Sequence, residues 1–286
     1  MTVLVCGTVA AAGLGCRKAG MDDQDQIGAA SGEVMASLDE SVDGRATAML
    51  PILRTPEQLR GPLWRRALAW AAPAAYAASC WGETFTACNA GVRTKDFGDC
   101  TLGLATITGN VTLTFNRTAL CVVVTEGDAV TRTADFTLTG PYGGTLAVTS
   151  PGGGQTLTRT ATGFEYTVQG MERVLTAPGG RKLFDISTST TAPLVVTGSS
   201  RADLTIVSGT LAIVHNLAGY TVSLTPDHLT WSSSCNCAVS GTLTGTVSGG
   251  KLSGKSASVH IISCGHADVT VDGDTESVTL DRCASQ

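Results

Sequence analysis

Ala105-Thr106-Ile107-Thr108-Gly109-Asn110-Val111-Thr112-Leu113-Thr114-Phe115 is the stretch that decides the fold. Thr106, Thr108, Asn110, Thr112 and Thr114 share one parity, and Ala105, Ile107, Val111, Leu113 and Phe115 share the other. A two-residue period belongs to a strand with one wet face and one buried face. Gly109-Asn110 also reads as a tight hairpin turn that leaves the alternation intact. The pattern is not local, because 34 of the 186 residues from Thr101 onward are threonine. Thr133, Thr137 and Thr139 alternate with Ala134, Phe136 and Leu138, Pro141-Tyr142-Gly143-Gly144 turns the chain, and Leu146 and Val148 resume the apolar parity. Phe164, Tyr166 and Val168, and then Tyr220, Val222 and Leu224, mark later strands. Turn signals recur at about 8–12 residues. The expectation is an all-β fold: an antiparallel β-meander forming a sandwich or irregular barrel over residues 80–286, preceded by a short N-terminal helical segment.

Threonine suits this design because its β-branch fits the pleat and its hydroxyl keeps the outer face soluble. The core it leaves is thin, since many apolar-parity positions are Ala or Gly. Thin cores in exported proteins are commonly braced by disulfides. An outer-membrane barrel also alternates, but its aromatic girdles do not fit 5% aromatic residues.

The chain has 286 residues, 15% of them charged, with a net charge of −5. Acid is unevenly placed: residues 17–45 carry seven acids and three bases, and residues 54–66 carry four Arg and one Glu. No basic face of the kind that binds nucleic acid is evident. Thr131-Arg132-Thr133-Ala134 recurs as Thr158-Arg159-Thr160-Ala161, and Pro151-Gly152-Gly153 recurs as Pro178-Gly179-Gly180, both 27 residues on. Other spacings do not keep that period, so the echo reads as one reused hairpin and not as a repeat array.

Residues 3–14 are apolar, small-residue-rich and too few to span a bilayer. They end in Leu14-Gly15-Cys16, followed by Arg17-Lys18 and the polar run Met21-Asp22-Asp23-Gln24-Asp25-Gln26. This arrangement resembles a bacterial lipoprotein leader. The resemblance implies a signal peptide over residues 1–16 that ends at the lipidation cysteine Cys16. It also implies a membrane partner reached through that lipid anchor, with no transmembrane helix in the mature protein. Ordinary secretory cleavage after the Ala10–Ala12 run, and a buried N-terminal apolar element, remain as competing readings. Ala77-Ala78-Ser79-Cys80 is a second candidate attachment box.

Residues 17–54 read as a flexible acidic tether, rich in Ala, Ser, Gly and acids with weak periodicity. Residues 55–79 read as helical: Thr55-Pro56-Glu57-Gln58 is a capping box with Pro at the first helical position, and Leu63 to Trp70 is amphipathic. That helix suits either a membrane surface or an edge of the β domain.

Removing Cys6 and lipidating Cys16 leaves eight cysteines, an even number: Cys80, Cys88, Cys100, Cys121, Cys235, Cys237, Cys264 and Cys283. They fall into two groups of four, and pairing within groups is the simpler expectation. Cys235 and Cys237 share a face of a regular strand, so each should reach a different partner, with Cys264 and Cys283 available. A zinc or copper site at Cys235-Asn236-Cys237 with Cys264-Gly265-His266 is the alternative, although an exported chain tends to oxidise such thiols.

No Gly-x-Ser-x-Gly or HExxH motif occurs, and His215, His228, His260 and His266 are the only histidines. His215 ends an apolar run and reads as a strand end. Asp272-Gly273-Asp274-Thr275-Glu276 is first a hairpin turn and only second a calcium loop. The sequons at Asn110 and Asn116 are chance products of a Thr-rich chain. Arg132, Arg159, Arg173 and Arg201, with Asp135, Glu172 and Asp203, read as surface cross-strand charges. No catalytic residue, metal or cofactor is assigned. The expected role is that of an exported, lipid-anchored envelope protein, periplasmic or cell-surface, that binds an envelope ligand or protein or serves structurally. A carrier holding an apolar ligand in a curved sheet is the alternative, and a hydrolase lacking a known motif is the third reading.

Overall fold

The structure is a computed structural model describing residues 23–42, 85–98, 100–102, 105–280 and 283. Among the described residues there are one α-helix, α1 (Asp23–Val42), and fifteen strands. These are β1 (Val92–Asp96), β2 (Cys100–Leu102), β3 (Ala105–Phe115), β4 (Ala129–Thr139), β5 (Thr145–Thr149), β6 (Gly154–Arg159), β7 (Gly163–Gln169) and β8 (Met171–Thr176). They continue as β9 (Lys182–Thr197), β10 (Thr205–His215), β11 (Tyr220–Ser232), β12 (Cys235–Gly249), β13 (Ser256–Ser263), β14 (His266–Val271) and β15 (Asp274–Thr279). All pairings are antiparallel, in one sheet.

The alternation of residues 105–115 is realised residue by residue: Ala105, Ile107, Val111, Leu113 and Phe115 are buried, and Thr108, Asn110 and Thr114 are exposed. Gly109 does not turn the chain. β3 runs through it, with Gly109 opposite Phe136 and Asn110 opposite Asp135. Gly109 sits at φ +103°, and a Cβ there would lie 2.2 Å from the Asp135 carbonyl oxygen. The glycine therefore serves a close approach of two strands, which the sequence pattern alone does not separate from a turn.

β5 and β6 both lie against the same edge of β4, at Asp135–Thr139 and Ala129–Arg132 respectively. They are one long strand interrupted by the turn at Ser150–Gly153, and β7 with β8 are one strand interrupted at Gly170. The sheet is thus an up-and-down meander from β3 to β15, each strand beside its predecessor. Asp272 and Gly273, at φ +54° and +86°, close the β14–β15 hairpin as a primed turn requires. Pro151-Gly152-Gly153 and Pro178-Gly179-Gly180 are both turns, but Thr131–Ala134 lies within β4 while Thr158–Ala161 runs out of β6 into a turn. The echo is therefore not a reused hairpin.

α1 corrects the reading of residues 17–54 as a flexible tether, over residues 23–42. Ile27, Ala30, Val34, Met35 and Leu38 are buried, and the helix packs on β12, β13, β14 and β15 while also meeting β6. β6 and β13 stand six strand positions apart in the sheet, which in a flat sheet is about 29 Å. Along with these contacts, Gln26, Ile27, Ala30, Ser31, Val34, Met35, Ala36 and Leu38 are buried around most of the circumference of α1. Burial on so many sides fits an irregular barrel whose sheet curls around α1. Gly28 and Gly32 let the helix lie close to the wall: a Cβ on Gly28 would be 2.7 Å from Val278 Cγ2, and one on Gly32 3.1 Å from Leu280 Cβ. Its periodicity is weak because a helix buried on several sides needs no polar stripe, and small residues fill its contact face. The expected helix at 55–79, and Cys16 and Cys80, lie outside the described residues.

Candidate functional site

The two faces of the curled sheet have opposite chemistry. Outward side chains form hydroxyl ladders. Thr106, Thr139, Thr145 and Thr176 are successive register partners across four strands. Thr114, Thr131, Thr156 and Thr167 form a second such row. Thr225, Thr244, Ser258, Thr270 and Thr275 form a third, across β11 to β15. Cross-strand hydroxyls bond to one another, as in Thr131–Thr156 at 2.9 Å and Thr270–Thr275 at 2.8 Å. An outer surface of hydroxyls around an apolar inner wall is the reverse of a lipid-facing barrel.

Beside the third row runs Asp227, Thr242, His260, Asp268 and Ser277, again as successive partners. His260 Nδ1 lies 3.1 Å from Thr242 Oγ1, and Ser277 Oγ donates to Asp268 Oδ1 at 2.5 Å. His260 and Ser277 are two strands apart, about 10 Å. That is too far for a base to activate a nucleophile. His228 is exposed beside Asp227 at 2.6 Å, and His266 opens β14. His215 ends β10 as expected, buried, with its ring 5.0 Å from that of Tyr220 and its Nδ1 accepting the Ala218 N–H. Among the described residues no cluster of three or more metal-ligating side chains occurs.

The inner wall is mostly apolar, and one group of buried polar side chains lies on β1, β4, β6 and β7. Lys95 on β1, Arg132 on β4, Gln155 on β6 and Tyr166 on β7 are buried there. Arg132, at 1% exposure, corrects its reading as a surface charge. The signal was in the sequence: Arg132 shares the parity of Val130, Ala134, Phe136 and Leu138, all buried. Gln155 is its direct partner across the ladder, and neither amide atom of Gln155 meets a hydrogen-bonding partner among the described residues. Lys95 Nζ lies 5.4 Å from the Phe97 ring, which meets Phe136 edge-on. Two of the other charges expected to pair across strands have different roles. Arg159 stacks on Phe164 at 4.6 Å, and Asp203 caps the turn at Ser200.

The three bridges mapped among the described residues sit at one end of the barrel. Cys88–Cys121 ties the chain before β1 to the β3–β4 loop, and Cys235–Cys264 ties the start of β12 to the β13–β14 turn. Cys237–Cys283 ties β12 to the segment after β15. Cys235 and Cys237 thus take different partners from within their own group. Cys100 is also disulfide-bonded. The bridges consume the thiols that a zinc or copper site at Cys235, Cys237 and Cys264 would need.

Two carboxylates fix loops. Asp128 Oδ2 accepts from the Thr125 N–H at 2.7 Å, the Val124 N–H at 2.9 Å, the Thr125 hydroxyl and Arg117. These bonds, the Thr125 N–H foremost, hold its pKa below the ordinary value against the opposing effect of burial. Asn116 accepts from the Ala129 N–H and donates to the Gly127 carbonyl, so this sequon asparagine braces the same loop. Held this way, the loop presents Leu120 and Val124 to solvent. Asp185 is pushed up by burial, but bonds from Asn216 and Lys182 and the charges of Lys182 and His215 bring its pKa below normal.

No family model, no curated protein and no solved structure matches this chain.

Proposed function

We propose that the protein is an exported envelope protein, anchored to a bacterial membrane by lipid at Cys16, with a non-catalytic binding or structural role. The observation that carries this reading is the set of bridges. The described disulfides point to an oxidising compartment. Cysteine arithmetic adds support for the anchor. The seven described cysteines are all disulfide-bonded. Loss of Cys6 with the leader and acylation of Cys16 would leave eight cysteines, an even number that can all be bridged. The hydroxyl ladders outside and the helix-filled inside fit a module that presents a surface rather than a reaction centre.

Metabolic labelling with radioactive palmitate tests the anchor in wild type, Cys16→Ala and Cys80→Ala. The expected result is label in wild type and Cys80→Ala and none in Cys16→Ala. Label persisting in Cys16→Ala, or absent from wild type, overturns the reading. A second reading, a carrier of an apolar ligand, draws on the largely apolar inner face of the curled sheet. Native mass spectrometry of protein extracted from the envelope decides it, a co-purifying lipid mass favouring the carrier.

A further inference from the structure

We propose that the Cys237–Cys283 disulfide is a latch on α1: it closes on a seated helix and, once closed, keeps that helix inside the barrel. The inference stands on geometry and is independent of the membrane anchor.

α1 is far from its wall in sequence. Gly32 precedes Cys237 by 205 residues and Cys283 by 251, yet its carbonyl oxygen lies 3.8 Å from one sulfur and 3.9 Å from the other. Leu280 and Cys283, beyond β15, lie against the helix. Leu280 N–H donates to the Gly265 carbonyl at 2.9 Å, and Cys283 N–H donates to the Leu280 carbonyl at 3.0 Å. A Cβ on Gly32 would stand 3.1 Å from Leu280 Cβ and 3.5 Å from Cys283 Sγ. The helix backbone is therefore the floor on which the bridge is assembled. Glycine at position 32 gives the clearance, since Leu280 and both cysteines are completely buried against it.

Closure converts two thiols into one S–S bond. Two protons and two electrons pass to a disulfide donor of the oxidising compartment, which leaves as its dithiol. Without the helix, the tail carrying Cys283 lacks the surface that brings it to Cys237. With the bridge made, attack by a thiolate must come in line on a sulfur, and neither sulfur is exposed until the helix leaves. Seating and bridge formation thus favour each other, as linked equilibria must. Cys235–Cys264 works elsewhere, since it joins β12 to the β13–β14 turn and Cys264 is only partly buried.

Two variants of the full chain test the latch, with a third as control. In Gly32→Leu, free thiols are alkylated before reduction and mapped by mass. Cys237 and Cys283 should be alkylated in most molecules while Cys88–Cys121 and Cys235–Cys264 remain bridged. In the double variant Cys237→Ser, Cys283→Ser, α1 amides should exchange with deuterium at least tenfold faster than in wild type, with β3 and β4 unchanged. The control, Cys235→Ser with Cys264→Ser, should leave α1 exchange at the wild-type rate. The proposal falls if Gly32→Leu closes Cys237–Cys283 as fully as wild type. It falls equally if α1 exchange is unaffected by removing that bridge, or if removing either bridge accelerates it alike.

Discussion

Replacing Gly109 by alanine tests whether β3 is one strand. Gly109 sits at φ +103°, a backbone region that costs an L-residue about 1–3 kcal/mol. The added Cβ would lie 2.2 Å from the Asp135 carbonyl oxygen and 2.7 Å from Phe136 Cα. Comfortable carbon–oxygen contacts begin near about 3.3 Å, so β3 must withdraw from β4 by roughly 1 Å there. Withdrawal weakens the ladder bonds on either side, each worth about 1 kcal/mol net. The expected loss is about 3–5 kcal/mol, read as a shift of the urea midpoint of oxidised protein at unchanged m-value. Asn110 lies outside the left-handed region and faces solvent, so Asn110→Ala should cost within about 0.5 kcal/mol, as surface changes do. A two-residue hairpin at Gly109-Asn110 would need positive φ at both positions as a type I′ turn, or at Gly109 alone as a type II′ turn, and in neither would Gly109 lie against β4. A loss below about 1 kcal/mol for Gly109→Ala would refute that close approach and with it the continuous strand.

Removing Cys235–Cys264, which spans 29 residues, should cost about 3–4 kcal/mol in urea unfolding by the loop-entropy relation; a loss under about 1 kcal/mol would mean that the β12–β13 ladder already supplies the constraint. Phe136→Ala empties a 1%-exposed position on the inner wall and should cost about 3–5 kcal/mol, whereas Tyr142→Ser, at an exposed turn, should change thermal stability little. Asp128, Asp185 and Asp203 all have folded pKa values below the ordinary 3.8. Their contribution is therefore present above about pH 4 and is lost as pH falls through the lowered values. Thermal midpoints should hold from pH 7 to 5 and drop below pH 4, and Asp185→Asn should flatten that drop; an unchanged acid limb would exclude the linkage.

The sheet was legible because the strand period is two and threonine marks the wet parity, as residues 105–115 and 133–139 show. The primed turn at Asp272-Gly273 and the two partners of Cys235 and Cys237 followed from local chemistry in the same way. α1 was not legible. A helix enclosed by other elements shows no polar stripe, and Gly28, Ala30, Ser31 and Gly32 resemble linker composition. Arg132 misleads because its residue type suggests a surface while its parity places it in the core. The closeness of Gly109 to β4 is a tertiary fact that glycine alone cannot announce. For the candidate site, the sequence offered cysteines and histidines. The structure separated the histidines onto different strands and gathered six of the cysteines into bridges at one end.

The meander puts α1's wall at the end of the chain. During synthesis the helix emerges before the strands it packs on, and Cys237 follows Gly32 by 205 residues. At about 5–20 residues per second, that is a wait of roughly 10–40 s. Through that interval the future centre of the barrel has nothing to pack against. A helix made mainly of large aliphatics would seek other surfaces; in α1 the few large apolar side chains, Ile27, Val34, Met35, Leu38 and Val42, are interspersed with Ala, Gly, Ser and acids, so it can stay solvated until β12 to β15 arrive. The same small residues that let the helix sit close to the finished wall make it a segment that can safely be early.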